Sequence, residues 1–286
     1  MSRYLKAGSM DEALEVLAEG GARVLAGGTD LMIHLRRAKQ EGGELPEVLL
    51  DVSGLDELRG LELEAERPYL GAALTFRSLH ESPQVRKRLG ALSQAAGQVG
   101  SVQVRTTGTI GGNAANASPA ADGVSALVAL GATAVLASPR GRRRLSLDEL
   151  ITGPYRTGLA GDELILGFEL DPPPDGAGQV FFKVGRRSAV SVARLNLAAC
   201  LDRELSDPRV VLGSCFPTPR RLAAVEELLT GATPGEALWR QAGELAAQQF
   251  QEASGDRPSA VYKVPAIRRM TARALAAAWA ELGGEA

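Results

Sequence analysis

Apolar positions recur at two different periods along the chain, and they predict a chain of mixed helix and strand. Ser9-Met10-Asp11-Glu12 has the pattern of a capping box ahead of Leu14 and Leu17, so a helix is expected to run from there to Gly20-Gly21. Ala22–Ala26 then reads as a short buried strand, Leu31 to about Lys39 as a helix, and Val48–Val52 as a strand. This α-β-α-β unit is expected to end near Asp56. Leu61–Glu64 and Tyr69–Ala73 read as strands around Glu66-Arg67-Pro68, Phe76–Glu81 and Gln84–Val99 as helices. Pro119–Leu130 reads as a helix with proline at a tolerated first-turn position. Thr133–Ala137 and Arg143–Leu147 alternate around Ser138-Pro139-Arg140-Gly141, the signature of a hairpin. The proline-rich run Asp171–Gly176 is the clearest linker. Beyond it, Gln179–Val184, Ala193–Cys200 and Arg209–Gly213 read as strands, and Ala223–Leu229, Gly235–Gln251 and Val264–Glu281 as helices. The expected division is therefore 1–56, 57–171 and 178–286, an α+β chain in which the last part is a small sheet with packed helices.

Composition narrows the chemistry. At 286 residues, 45% apolar and 23% charged, the chain is that of a globular protein, and no run of about eighteen apolar residues spans a membrane. The N-terminal stretch starts an amphipathic helix and not a charged-then-apolar leader, so a cytoplasmic location is expected. A formal charge of −2 gives no electrostatic case for nucleic acid. The arginines at 140, 142, 143 and 144 are expected to form a solvated hairpin tip, since the cluster is short and lacks interleaved aromatics. Cys200 and Cys215 cannot make a four-thiolate iron–sulfur or zinc site and are expected in the core; His34 and His80 have no ligand-spaced partners.

The informative segments are two glycine-rich turns. Leu25-Ala26-Gly27-Gly28-Thr29-Asp30-Leu31 lies between a strand and a helix, which aims free backbone N–H groups and the positive end of a helix at one spot. A diphosphate suits that spot. Thr107-Gly108-Thr109-Ile110-Gly111-Gly112-Asn113 offers a second such nest, with Thr109 and Asn113 adding side-chain groups. Neither turn matches a nucleoside-triphosphate P-loop or a Rossmann fingerprint. Asp122, after Ala117-Ser118-Pro119, suits hydroxyl donors of a ribose or ribityl chain; the alternative is a first-turn helix carboxylate favourable to the dipole, and both can hold.

Together these motifs resemble the FAD-binding medium subunit of molybdenum hydroxylases, a family with a two-part PCMH-type FAD domain followed by a C-terminal α+β domain of the CO dehydrogenase flavoprotein type. Gly153–Thr157, Asp162–Ile165, Phe182–Arg187 and Tyr262-Lys263-Val264 extend the resemblance over nearly the whole chain. The resemblance implies one FAD, with both turns around its pyrophosphate. It also implies that Val99 touches the cofactor, Asp122 serves its adenosine side, and Ile165 and Lys183 line the flavin, where a cation favours the reduced anionic ring. Thr106 and Ser191 depart from residues common in the family. By resemblance the chain passes electrons between the [2Fe–2S] clusters of a small subunit and an external acceptor. A large molybdopterin subunit handles the organic substrate, and a dimer of heterotrimers is expected. No catalytic acid–base pair and no metal ligands are assigned to this chain. Two other readings stay open: a self-contained PCMH-type flavin oxidoreductase with its own small substrate, and a scaffold subunit that has lost FAD.

Overall fold

The computed structural model describes residues 2–187, 190–255 and 257–284. The chain first builds β1 (Arg3–Lys6), α1 (Met10–Glu19), β2 (Ala22–Leu25), α2 (Leu31–Gln40) and β3 (Val48–Asp51), whose strands form a parallel sheet in the order β1-β3-β2. The Glu12 amide donates to the Ser9 hydroxyl at 3.2 Å, while the Glu12 carboxylate accepts from the Gly8 amide at 2.6 Å, one residue earlier than a capping box requires. Gly20, at φ +83°, ends α1. Ala13, Val16 and Leu17 of that helix bury against Leu50 and Val52. The sequence reading did not include β1, a largely exposed edge strand whose polar residues carry no period.

A 3₁₀ turn at Asp56–Arg59 leads into β4 (Leu61–Glu62) and β5 (Tyr69–Gly71), then α3 (Phe76–Glu81), α4 (Pro83–Arg88), α5 (Gly90–Gln98), α6 (Val102–Thr107), α7 (Ile110–Asn116) and α8 (Asp122–Ala129). There follow β6 (Thr133–Ser138), β7 (Gly141–Ser146), α9 (Leu147–Leu150), β8 (Ile151–Gly153), β9 (Arg156–Thr157) and β10 (Leu164–Glu169). The main sheet has the order β4-β5-β10-β6-β7 and is antiparallel. Two helix expectations need correction. Gln84–Val99 divides at Leu89, where Leu89 leaves helical geometry with its side chain fully buried. Pro119–Leu130 begins at Asp122 instead, because Ser118 closes a tight turn by accepting from the Ala120 amide on its hydroxyl and from the Ala121 amide on its carbonyl. The β6–β7 hairpin forms, and three of its four arginines are paired with carboxylates: Arg140 with Asp162, Arg143 with Glu163 and Arg144 with Glu169.

The last part is β11 (Gly178–Val184), β12 (Leu195–Leu201), β13 (Arg209–Gly213), β14 (Arg220–Arg221), α10 (Ala223–Leu229), α11 (Glu236–Ser254) and α12 (Ala260–Glu281). The strands form an antiparallel meander in chain order, with β11 at one edge. Alternate residues face opposite sides. Val180, Leu197 and Leu212 pack with Trp239, Phe250 and Leu275 of α11 and α12, whereas Phe181, Ala198 and Val211 join the core that holds Leu92 and Leu127 of α5 and α8. The meander is therefore a shared wall between two helical layers. Cys200 lies in one of these clusters and Cys215 in the other, both free, and burial pushes both thiols up to about 12. The final helix starts before the expected Val264, because Pro265 is tolerated inside α12: the carbonyl deprived of its N–H partner belongs to Val261, an 84% exposed residue.

Candidate cofactor cleft

The first glycine turn joins the end of β2 to the start of α2. Gly28 adopts φ +67°, a region that a side chain would strain, and a Cβ on Gly27 would overlap the carbonyl of Thr107. The two glycine turns thus touch backbone to backbone. Among the described residues, none of the amides of Gly27, Gly28, Thr29, Asp30 and Leu31 meets a protein acceptor; the first to do so is that of Met32, donating to the Gly28 carbonyl at 3.1 Å. A fan of unengaged N–H groups at the start of a ten-residue helix is an anion-binding arrangement.

The second turn differs from expectation. Thr109 caps α7, its hydroxyl accepting from the Gly112 amide at 3.1 Å. The amide of Ile110 donates to Leu74 (3.0 Å), that of Gly111 to Ala72 (2.9 Å) and that of Asn113 to Thr109 (3.0 Å). These donors fasten the turn to the structure behind it and leave no amide fan from Ile110 to Asn113. The turn offers instead the Thr109 hydroxyl, the bare backbone of Gly112 and the Asn113 side chain, whose Oδ1 is buried without a partner.

Between the turns lies a cleft of about 380 Å³, within the range that binds cofactors. Ala26, Gly27, Gly28, Thr29, Asp30 and Leu31 line one side; Thr109, Gly111, Gly112 and Asn113 line another, with Val99 and Ile165 contributing apolar wall. Four expected residues do not line it. Leu25 ends β2 beneath Gly28, and the Ile110 side chain is fully buried in the core.

The other two, Asp122 and Lys183, meet each other: the ammonium lies 2.5 Å from the carboxylate, with side chains only 8% and 6% exposed for Lys183 and Asp122. Lys183 also donates to the Gln98 carbonyl at 2.9 Å, immediately behind Val99. Asn196 donates to Asp122 at 2.9 Å, and Ser125 donates to Asn196 at 2.8 Å. Burial pushes the Asp122 carboxyl up, and Lys183 and Asn196 pull it part of the way back. The Thr106 hydroxyl donates within α6 to Val102, and Ser191 accepts from the Arg186 amide, so both departures from the family pattern are locally satisfied.

Sequence reasoning did not assign His34, Asn116 or the stretch Thr157–Leu164 to the site. His34 lies one helical turn beyond Asp30, which is a usable signal; the Thr157–Leu164 wall has none. Glu163 holds that wall in place, accepting from Arg143 at 2.6 and 2.7 Å and from the Ala160 amide at 2.7 Å, and Arg143 holds its carboxyl below the usual range. Glu163→Gln is expected to weaken FAD retention several-fold while the β6–β7 hairpin survives. Equilibrium dialysis of FAD against wild type and variant checks this, and unchanged retention would count against a role for the loop.

The residues fit a flavin dinucleotide: a free amide fan for a diphosphate, glycines that leave room for close approach, an orphaned amide oxygen and apolar walls. Residues 1–173 match the FAD binding domain in molybdopterin dehydrogenase, and residues 180–278 match the CO dehydrogenase flavoprotein C-terminal domain. The chain is 33% identical to the carbon monoxide dehydrogenase medium chain of Hydrogenophaga pseudoflava, over 95% of each protein. It is 30% identical to the xanthine dehydrogenase FAD-binding subunit of Escherichia coli O157:H7, over 99% of this chain and 97% of that one. Among solved structures, carbon monoxide dehydrogenase from Hydrogenophaga pseudoflava superposes with TM-score 0.88 at 30% identity, covering 98% of each chain. Quinoline 2-oxidoreductase from Pseudomonas putida 86 gives 0.88 at 26% identity, covering 99% of this chain and 98% of that one. With both of its domains matched, the chain belongs to the FAD-binding subunits of the molybdopterin dehydrogenases, and it is an oxidoreductase subunit whose cofactor is FAD.

Proposed function

We propose that this chain is the FAD-carrying electron-transfer subunit of a molybdenum hydroxylase complex. It would pass electrons between [2Fe–2S] clusters of a small partner subunit and an external acceptor, alongside a large molybdopterin subunit in a dimer of heterotrimers. The observation that carries the reading is the amide fan of Gly27–Leu31 facing the capped turn at Thr109. The fan holds the diphosphate, Thr109 and Asn113 orient the neighbouring hydroxyls, and Val99 and Ile165 exclude water from the ring. When bound, FAD supplies the exchange between two-electron and one-electron chemistry. The division into FAD-binding subdomains 1–56 and 57–171 and a C-terminal domain 178–286 belongs to the same proposal. So does a cytoplasmic location; no helix among the described residues is long and apolar enough to cross a membrane.

The chain's own residues support a dependent role. Its two cysteines are buried in separate clusters, so cluster ligands would come from another chain. Purified chain is expected to be yellow and inert towards organic substrates, and to be reduced by substrate once iron–sulfur and molybdopterin subunits are added. Turnover of an organic substrate by the chain alone would overturn the reading in favour of a self-contained flavin oxidoreductase.

A further inference from the structure

Cations are unevenly distributed. From Gly176 to Leu201 the sequence has no acid and carries Lys183, Arg186, Arg187 and Arg194; from Arg257 to Ala280 it has none and carries Arg257, Lys263, Arg268, Arg269 and Arg273. The net charge of the chain is −2, so this is a segregated patch. Within it, between β11, the end of α5 and one face of α12, lies a second cleft of about 530 Å³.

Three features set this cleft apart from a solvated basic surface. First, Arg269 and Arg273 are four residues apart on α12, hence on one face, and neither has an ion-pair partner among the described residues. The neighbouring Arg268 is paired with Glu244 at 2.7 Å, and Arg140, Arg143 and Arg144 of the hairpin are paired as well. Second, Phe182, Val184 and Met270 supply an apolar floor, and the Arg273 guanidinium stands 6.0 Å from the centre of the Phe182 ring. Third, β11 is an edge strand, so alternate amides point outward. The outward amide of Gln179 donates to Glu281 at 2.8 Å and that of Phe181 to Gln94 at 2.9 Å. The next outward amide is that of Lys183, which borders the cleft and has no acceptor among the described residues.

Two unpaired guanidinia, a free amide and an aromatic floor match a ligand with a flat ring and at least two negative charges. We propose that this cleft is a binding site for a nucleoside diphosphate or a molecule containing one, separate from the FAD cleft. In this site Arg269 and Arg273 receive the phosphates and Phe182 packs against the ring. The two clefts share a wall, since Gln98 lines this one and Val99 the other. The Lys183 ammonium is already committed to Asp122 and stays outside the recognition.

The test uses FAD-loaded protein, so that the cofactor cleft is filled and its occupancy is read independently from flavin absorbance. ADP, inorganic pyrophosphate and adenosine are titrated by calorimetry. ADP is expected to bind one site more tightly than either fragment, and Arg269→Gln with Arg273→Gln to weaken it about tenfold or more without changing the flavin content. Phe182→Leu is expected to weaken ADP while sparing pyrophosphate. The proposal is overturned if FAD-loaded protein shows no saturable ADP binding. It is equally overturned if the arginine variants bind ADP as wild type does, or if pyrophosphate binds as tightly as ADP.

Discussion

Gly27→Val is expected to leave a folded chain that no longer retains FAD. The added branch would overlap the Thr107 carbonyl, and that backbone cannot retreat, since the amides two and three residues after Gly108 are fastened to Leu74 and Ala72. The first turn must move instead, and the amide fan moves with it. Hydrogen bonds to a charged group are worth about 1.5–3 kcal/mol each, so misplacing two of them costs about 3 kcal/mol or more and weakens FAD binding by upwards of about a hundredfold. Gly112→Ala should disturb the fold little yet still weaken FAD, because a Cβ there meets the Thr109 hydroxyl oxygen at 2.9 Å and covers backbone that lines the cleft. Arg144→Ala, at an exposed pair with Glu169, should leave FAD untouched. The ratio of flavin to protein absorbance after gel filtration gives the result, with thermal melts to separate loss of FAD from loss of fold. Full FAD in a folded Gly27→Val protein would sink the assignment of the diphosphate to this turn.

Elements whose sequence carries both a period and a stop were legible. Phe76–Glu81, Arg209–Gly213 and Ala223–Leu229 form with the bounds expected, and Ser9 and Gly20 delimit α1. Elements lacking one of those signals were not. The central strand β10 (Leu-Ile-Leu-Gly-Phe-Glu) is buried on both faces and shows no alternation, and α6 and α7 are short and defined by contacts distant in sequence. The site divides in the same way. Glycine turns announce themselves, because backbone that must approach other backbone excludes side chains from the sequence. Which amides remain free does not: Ile110 and Gly111 spend theirs on carbonyls about 40 residues earlier, a matter of tertiary packing. The family resemblance placed Asp122 and Lys183 near the cofactor, yet nothing in their local sequence says that they find each other across 61 positions.

That pairing leads to the second large effect. Lys183→Met leaves the Asp122 carboxylate buried with Asn196 as its remaining partner, and Asp122→Asn leaves the Lys183 ammonium buried against the Gln98 carbonyl. Breaking one side of a buried pair typically costs about 3–5 kcal/mol, a large part of a total stability of about 5–15 kcal/mol. Each single variant is therefore expected to melt on the order of 10 °C lower. The double variant Asp122→Asn/Lys183→Met removes both charges, keeps an acceptor for Asn196 and should recover most of the loss. Because the pair ties α8 to β11 and holds the carbonyl behind Val99, FAD affinity should fall in the single variants and return with stability in the double one. Melting curves and FAD dissociation constants for the four proteins of the cycle decide the matter. If Lys183→Met lowers FAD affinity with the melting temperature unchanged, and the double variant does not restore it, the ammonium acts on the cofactor directly and the positioning role of the pair is wrong.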